Sequence, residues 1–169
     1  MGILIDGFNL IYKFPELEGL MYAGKLNEAR RGLIDILKEY HSIKPANIRI
    51  VFDGKKNQGD NLYQETIGPF TVYYSHDFSA DHLIKEFVKH DPNPRMMKII
   101  TSDNDIISYA SRFHATVVKS EEFAEQIKSA IEKNITEKQP EKDSNPTLSE
   151  EELLYWEKVF KKKPREGKQ

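Results

Sequence analysis

Four aspartates stand where an apolar run ends or a helix begins: Asp6 in "ILIDGFN", Asp53 in "RIVFDG", Asp81 in "FSADHLI" and Asp103 in "KIITSDND". Taken singly, each has an ordinary explanation. Asp-Gly after a strand closes a turn, and Asp in the first turn of a helix serves the cap and the dipole. Taken together, carboxylates brought from distant positions to one edge of a sheet repel one another, which is costly unless a cation compensates. Hard oxygen donors without thiolates suit Mg2+ or Mn2+, ions that retain waters and take up phosphate oxygens. With two such ions, one activates the attacking water and the other stabilises the leaving oxygen, so hydrolysis of a phosphodiester is the leading reaction.

Supporting groups lie close by in sequence. Asn9 follows Asp6 by three residues, where a short helical turn could return its amide towards the site to hold a water or phosphate, or simply close an Asx-turn. In "TSDND", Thr101 and Ser102 could hydrogen-bond a ligand or cap the next helix, and Asp103 and Asp105, two apart, do not share a helical face. The five histidines have no persuasive metal-ligand spacing; only His82, beside Asp81, is of interest. There is no phosphate-binding Walker loop, no GxGxxG after a strand and no Gly-x-Ser-x-Gly elbow.

The elements that must position these groups alternate. Residues 2–5, 47–52, 70–74, 97–101 and 115–118 are short runs rich in β-branched or aromatic residues and suit strands. Leu26, Ala29, Leu33, Leu37 and Tyr40 give one apolar face to a helix over 25–41; similar spacing predicts helices over 80–90 and 121–134. Near-continuous apolar strands alternating with helices predict a mostly parallel sheet covered on both faces, with ligands bound beyond the carboxyl ends of the strands. Ser79 is the expected cap of the helix that carries Asp81.

With 169 residues and 38% hydrophobic content, the chain suffices for one domain with a single core plus an appendage. The expected organisation is a domain over 1–134, a polar, proline-bearing linker over 135–148, and a helix with a basic tail over 149–169. That helix opens on a Ser149 to Glu152 capping box and carries Trp156, which must bury its ring somewhere. The absence of cysteine excludes disulfide frameworks and thiolate metal sites, and no apolar stretch is long enough for a membrane span or a leader, so the reading is a soluble cytoplasmic protein with no membrane partner. The formal charge of −2 argues against a strongly basic surface, but setting Asp6, Asp53, Asp81, Asp103 and Asp105 aside leaves a positive remainder. A negative point in a modestly positive surround suits a metal-dependent enzyme acting on a polyanion.

Lys55, Lys56 and Tyr63, in the segment after Asp53, combine phosphate pairing with base stacking. Arg30 and Arg31 on the first long helix, with Lys13, Tyr12 and Tyr22 before it, could extend a path for RNA, although charged residues on a helix are usually its wet face. The last twelve residues carry six basic side chains and one acidic, a phosphate-contacting tail or a solubilising end.

Together, "ILIDGFNLI", "EARRGLIDILKEY", "IRIVFDG", "SADHLI" and "IITSDNDI" resemble the NYN branch of the PIN-like nucleases, and more closely the YacP-type bacterial NYN proteins. The segments run in family order through most of residues 2–132; Phe8 stands where the first motif often has Tyr, and the Trp156 helix lies beyond the match. The resemblance implies a three-layer α/β/α PIN-like fold with a mostly parallel central sheet. It implies a Mg2+ or Mn2+ dependent endoribonuclease with Asp6, Asp81 and Asp103 as metal-binding catalytic carboxylates. Asn9, Asp53, Ser102 and Asp105 are the supporting positions, and RNA, in particular messenger RNA at the ribosome, is the implied partner. Two other classes compete. A noncatalytic RNA-binding or ribosome-binding adaptor on the same fold gains nothing from the acidic set. A phosphotransfer protein of the haloacid-dehalogenase type needs a second Asp two residues after its nucleophile, where Phe8 or Lys55 stands.

Overall fold

In β1 (Gly2–Asp6) the residues Ile3, Leu4 and Ile5 are all buried, so both faces of the strand are covered, as expected of a central parallel strand. The computed structural model describes residues 2–54, 64–76, 78–138 and 150–160. β1 lies between β2 (Asn47–Asp53) and β5 (Met97–Ile100), parallel to both. β4 (Phe70–Ser75) continues the parallel sheet beyond β2, and β6 (Thr116–Val118) continues it beyond β5. β3 (Gln64–Ile67) adds an antiparallel edge, giving the order β3-β4-β2-β1-β5-β6. The chain leaves β1 for one neighbour and later returns to the other, so the crevice at its carboxyl end is the switch point of the sheet.

Alternation along the strands divides the core. Ile3, Ile5, Ile48, Ile50, Phe52, Val72 and Tyr74 pack with α1 (Gly7–Ile11), α2 (Pro15–Tyr22), α3 (Leu26–Ile43) and α6 (Ser120–Lys138). Leu4, Val51 and Ile99 pack on the other face with α4 (Ala80–His90) and α5 (Asn104–Arg112). The result is the expected three layers with a mostly parallel sheet. By the same alternation Asp6 and Asp53 belong to the face that carries α4 and α5.

One boundary differs from expectation. α6 runs to Lys138, so the first residues of the expected linker are helical; Ile135 extends the stripe of Phe123, Ile127 and Ile131 by another turn and packs on the core. α7 (Glu150–Phe160) packs on the domain, which is where the ring of Trp156 is buried. Its Val159 is fully buried, Trp156 is buried in the main core, and Lys158 Nζ lies 3.8 Å from Glu16 on α2. The rest of the expected linker, 139–148, and the basic residues beyond 160 lie outside the described residues. Among the described residues no helix is long and apolar enough to cross a membrane.

Candidate active site

Asp6 ends β1, and α1 starts at the next residue. Only glycine fits there: a Cβ on Gly7 would stand 2.4 Å from a ring carbon of Phe52 and 2.9 Å from the carbonyl oxygen of Val51. The "DG" of the first motif is therefore a matter of close packing. Thr101, fully buried just after β5, donates its hydroxyl to Asp6 Oδ2 at 2.9 Å, and its Oγ1 accepts from the backbone N–H of Asp103 at 3.1 Å. One threonine thus joins the first acidic position to the third. Burial is the main cause that pushes the Asp6 carboxyl up to about 6; the Thr101 hydrogen bond opposes the rise, and the charges of Asp103 and Asp81 add to it.

Asp81 occupies the first turn of α4, whose expected cap is present: Ser79 accepts from His82 N at 3.1 Å. Its Oδ1 is buried without a hydrogen bond, and the nearest cation, Lys85 Nζ, is 3.6 Å away. Burial again raises this carboxyl, with the Lys85 charge opposing and Asp103 and Asp105 adding. Asp103 is the cap of α5, its Oδ1 accepting from Asp105 N at 2.8 Å and Ile106 N at 3.4 Å. Asp105 is largely exposed, its carboxylate 2.5 Å from Lys85 Nζ, the same ammonium that lies beside Asp81.

The supporting positions separate. Asn9 Oδ1 accepts from Ser102 N at 2.9 Å and from the hydroxyl of Ser120 at 2.6 Å, so its carbonyl fastens α1 to the loop after β5 and to the start of α6. Ser102 Oγ donates to Glu121 at 2.5 Å and accepts from Ser120 N at 3.0 Å. Asp53 stands at the end of β2 opposite Ser75 of β4, one strand out from Asp6, and is not among the charges that bear on the Asp6 carboxyl.

For the expected RNA path the results are mixed. Arg30 is a correction: it is buried, with its guanidinium 6.0, 5.8 and 5.9 Å from the ring centroids of Phe8, Phe52 and Tyr74, and Nη2 donates to Asn27. Four residues after Leu26, it lies on the inward stripe of α3, where the rings offset part of the cost of burying its charge. Arg31 is exposed, Tyr12 and Tyr22 are exposed, and Lys13 is partly exposed with Nζ 3.8 Å from Glu121. Lys55, Lys56 and Tyr63 lie outside the described residues.

Sequence reasoning missed Lys85, Ser120, Glu121 and Phe78. Lys85 had a signal, since it follows Asp81 by four on a helix. Phe78 also had one: an aromatic just ahead of the cap of α4, it is 60% exposed and stacks on His82 at 4.5 Å, leaving an aromatic surface beside Asp81.

The donors fit a hard divalent ion in kind. They are carboxylate oxygens, two of them are raised by burial and mutual charge, and one oxygen of Asp81 is buried without a hydrogen bond. As the side chains stand, no three acidic or histidine groups among the described residues close on a common ion position.

Comparison with known proteins bears on the whole chain. A sequence model described as the YacP-like NYN domain matches residues 3–161, which include α7. A crystal structure of a point mutant of Rae1 (YacP) from Bacillus subtilis superposes with a TM-score of 0.66 at 22% identity, covering 92% of this chain and 91% of that one. A second crystal structure of Rae1 (YacP) from the same organism gives 0.60 at 24% identity, covering 94% and 93%. No curated protein sequence matches. At these identities the structural likeness speaks for the fold.

Proposed function

We propose, from the premise that this chain belongs to the YacP-like NYN domain family of nuclease-like proteins, that it is a Mg2+ or Mn2+ dependent endoribonuclease acting at the carboxyl end of β1. The observation that carries the reading is that Asp6 and Asp103 are fastened to one buried threonine, Thr101, with Asp81 near enough for its charge to reach Asp6. The three carboxylates come from separate segments, yet the charges of the other two both bear on the Asp6 carboxyl, which is pushed up to about 6. A fold has little use for such a set unless a cation compensates it.

In this reading Asp6, Asp81 and Asp103 hold the ion. A bound divalent ion supplies charge to the scissile phosphate and acidifies a water. The protein's own part is orientation. Thr101 fixes Asp6 Oδ2 and the backbone of Asp103 together, the cap of α5 holds one oxygen of Asp103, and Ser79 fixes the turn that presents Asp81. Asn9, through Ser102 and Ser120, keeps the β1 and β5 ends in register, which makes it a positioning residue. Asp53 and Asp105 stand outside the trio. RNA approaches with its phosphates towards the exposed Arg31 and Lys13 and a base against Phe78 and His82; Lys55, Lys56 and Tyr63 belong to the same proposal. Messenger RNA presented by the ribosome is the inferred substrate context, on the resemblance of the motifs to YacP-type proteins, and the cytoplasm is the inferred compartment, on the cysteine-free composition.

The test is Mn2+-dependent cleavage of a long messenger RNA, free and in a translating extract, by the wild type and by Asp81→Asn. New 5′ ends that appear with Mn2+ and vanish in the variant support the reading, and a need for translation identifies the ribosome as presenter. Identical RNA profiles for the two folded proteins would instead favour the noncatalytic adaptor.

A further inference from the structure

We propose that Lys85 is a resident cation of this site, one that a divalent ion must displace, so that ion affinity is set by competition with its ammonium group. The inference rests on the reading of Asp6, Asp81 and Asp103 as the ion's ligands and goes on to say what governs its entry. Lys85 follows Asp81 by one helical turn on α4, so the two share a face. Its Nζ lies 2.5 Å from Asp105 Oδ2 on α5 and 3.6 Å from Asp81 Oδ1, bridging carboxylates from two helices. The aliphatic part of the side chain is mostly covered, and Nζ sits 5.6 Å from the ring centroid of Tyr109, which holds the ammonium over the α4–α5 seam.

The two contacts are unequal in a way that matters. Asp105 holds the ammonium at 2.5 Å, whereas Asp81 Oδ1 stands 3.6 Å from it, the longer and weaker of the two contacts. At 3.6 Å the ammonium satisfies Asp81 Oδ1 less well than it does Asp105, which leaves that oxygen open to a stronger cation. Asp105, exposed and outside the trio, then serves as the place where Lys85 is anchored.

The experiment is titration of the full chain with Mn2+, free ion being read by electron paramagnetic resonance, for the wild type, Lys85→Met, Lys85→Gln, Lys85→Arg and Asp6→Asn. Removing one unit charge within about 4 Å of a ligand oxygen should lower the Mn2+ Kd of the Met variant by about tenfold. Gln, also neutral, should behave alike and covers any failure of the Met variant to fold, and Arg should stay near the wild type. A Kd that is unchanged or weaker in both neutral variants, or Arg behaving like Met, overturns the competition while Asp6-dependent binding keeps the underlying site. Mn2+ binding that Asp6→Asn leaves intact overturns the site itself, and this inference with it.

Discussion

At the scale of single residues, the proposed chemistry rests on carboxylates held in unfavourable protonation settings. In the folded, ion-free protein burial first, and then Asp103 and Asp81, lift the Asp6 carboxyl from 3.8 to about 6. Below about pH 4 both folded and unfolded chains carry the proton and Asp6 costs nothing. Between there and about pH 6 the folded state holds a proton that the unfolded state has lost, so Asp6 removes stability as the pH rises. Asp6→Asn, neutral at every pH and still able to accept from Thr101, should therefore stabilise the ion-free protein by about 2 kcal/mol above pH 7, with no gain near pH 4. Urea unfolding in a metal chelator across that range checks it; a variant less stable than the wild type at pH 8 contradicts the assignment. Arg30 teaches the converse at this scale. Its charge suggests RNA, but its position on the inward stripe of α3 puts it among Phe8, Phe52 and Tyr74, where it supports the turn that follows Asp6.

At the scale of elements, what was legible in the sequence was whatever depends on local pattern. The core strands announce themselves as apolar runs, and the acidic residues at their ends follow directly. β3 was not foreseen, because "QETI" is an edge strand with a half-exposed, polar sequence. Nor was α2, where Gly19 and the exposed Tyr22 blur the periodicity. The role of Asn9 was beyond reach for another reason: the Ser120 hydroxyl that it accepts from lies 111 positions away, and no local pattern reports such a pairing. That pairing has a testable consequence. Asn9→Ala leaves Ser102 N and the buried Ser120 hydroxyl without their acceptor, which should cost about 2 kcal/mol of stability. Mn2+ affinity should change less than threefold, since Asn9 bonds to the clamp and not to the carboxylates. Urea melts read beside a Mn2+ titration separate the two; a loss of Mn2+ binding with stability intact would make Asn9 a ligand after all.

At the scale of the whole molecule, the chain folds so that the sheet's switch point, the caps of α4 and α5 and the clamp to α6 meet at one edge, while α7 closes the opposite layer. Trp156, which the sequence requires to be buried, and Val159 complete the core formed with α2, and the family match extends through residue 161. Ending the chain at residue 149 should thus lower the unfolding free energy by roughly 3 kcal/mol or more through lost apolar burial. An unchanged urea midpoint would return α7 to the status of an appendage. The central proposal is that Asp6, Asp81 and Asp103, carried at the end of β1 and the starts of α4 and α5, hold a divalent cation. It is met most directly by anomalous X-ray diffraction from crystals of the wild-type protein soaked in Mn2+. We predict an anomalous peak bounded by the carboxylates of those three residues, with Lys85 moved off Asp81; the absence of any peak there, with Mn2+ found only elsewhere on the surface, would contradict the account.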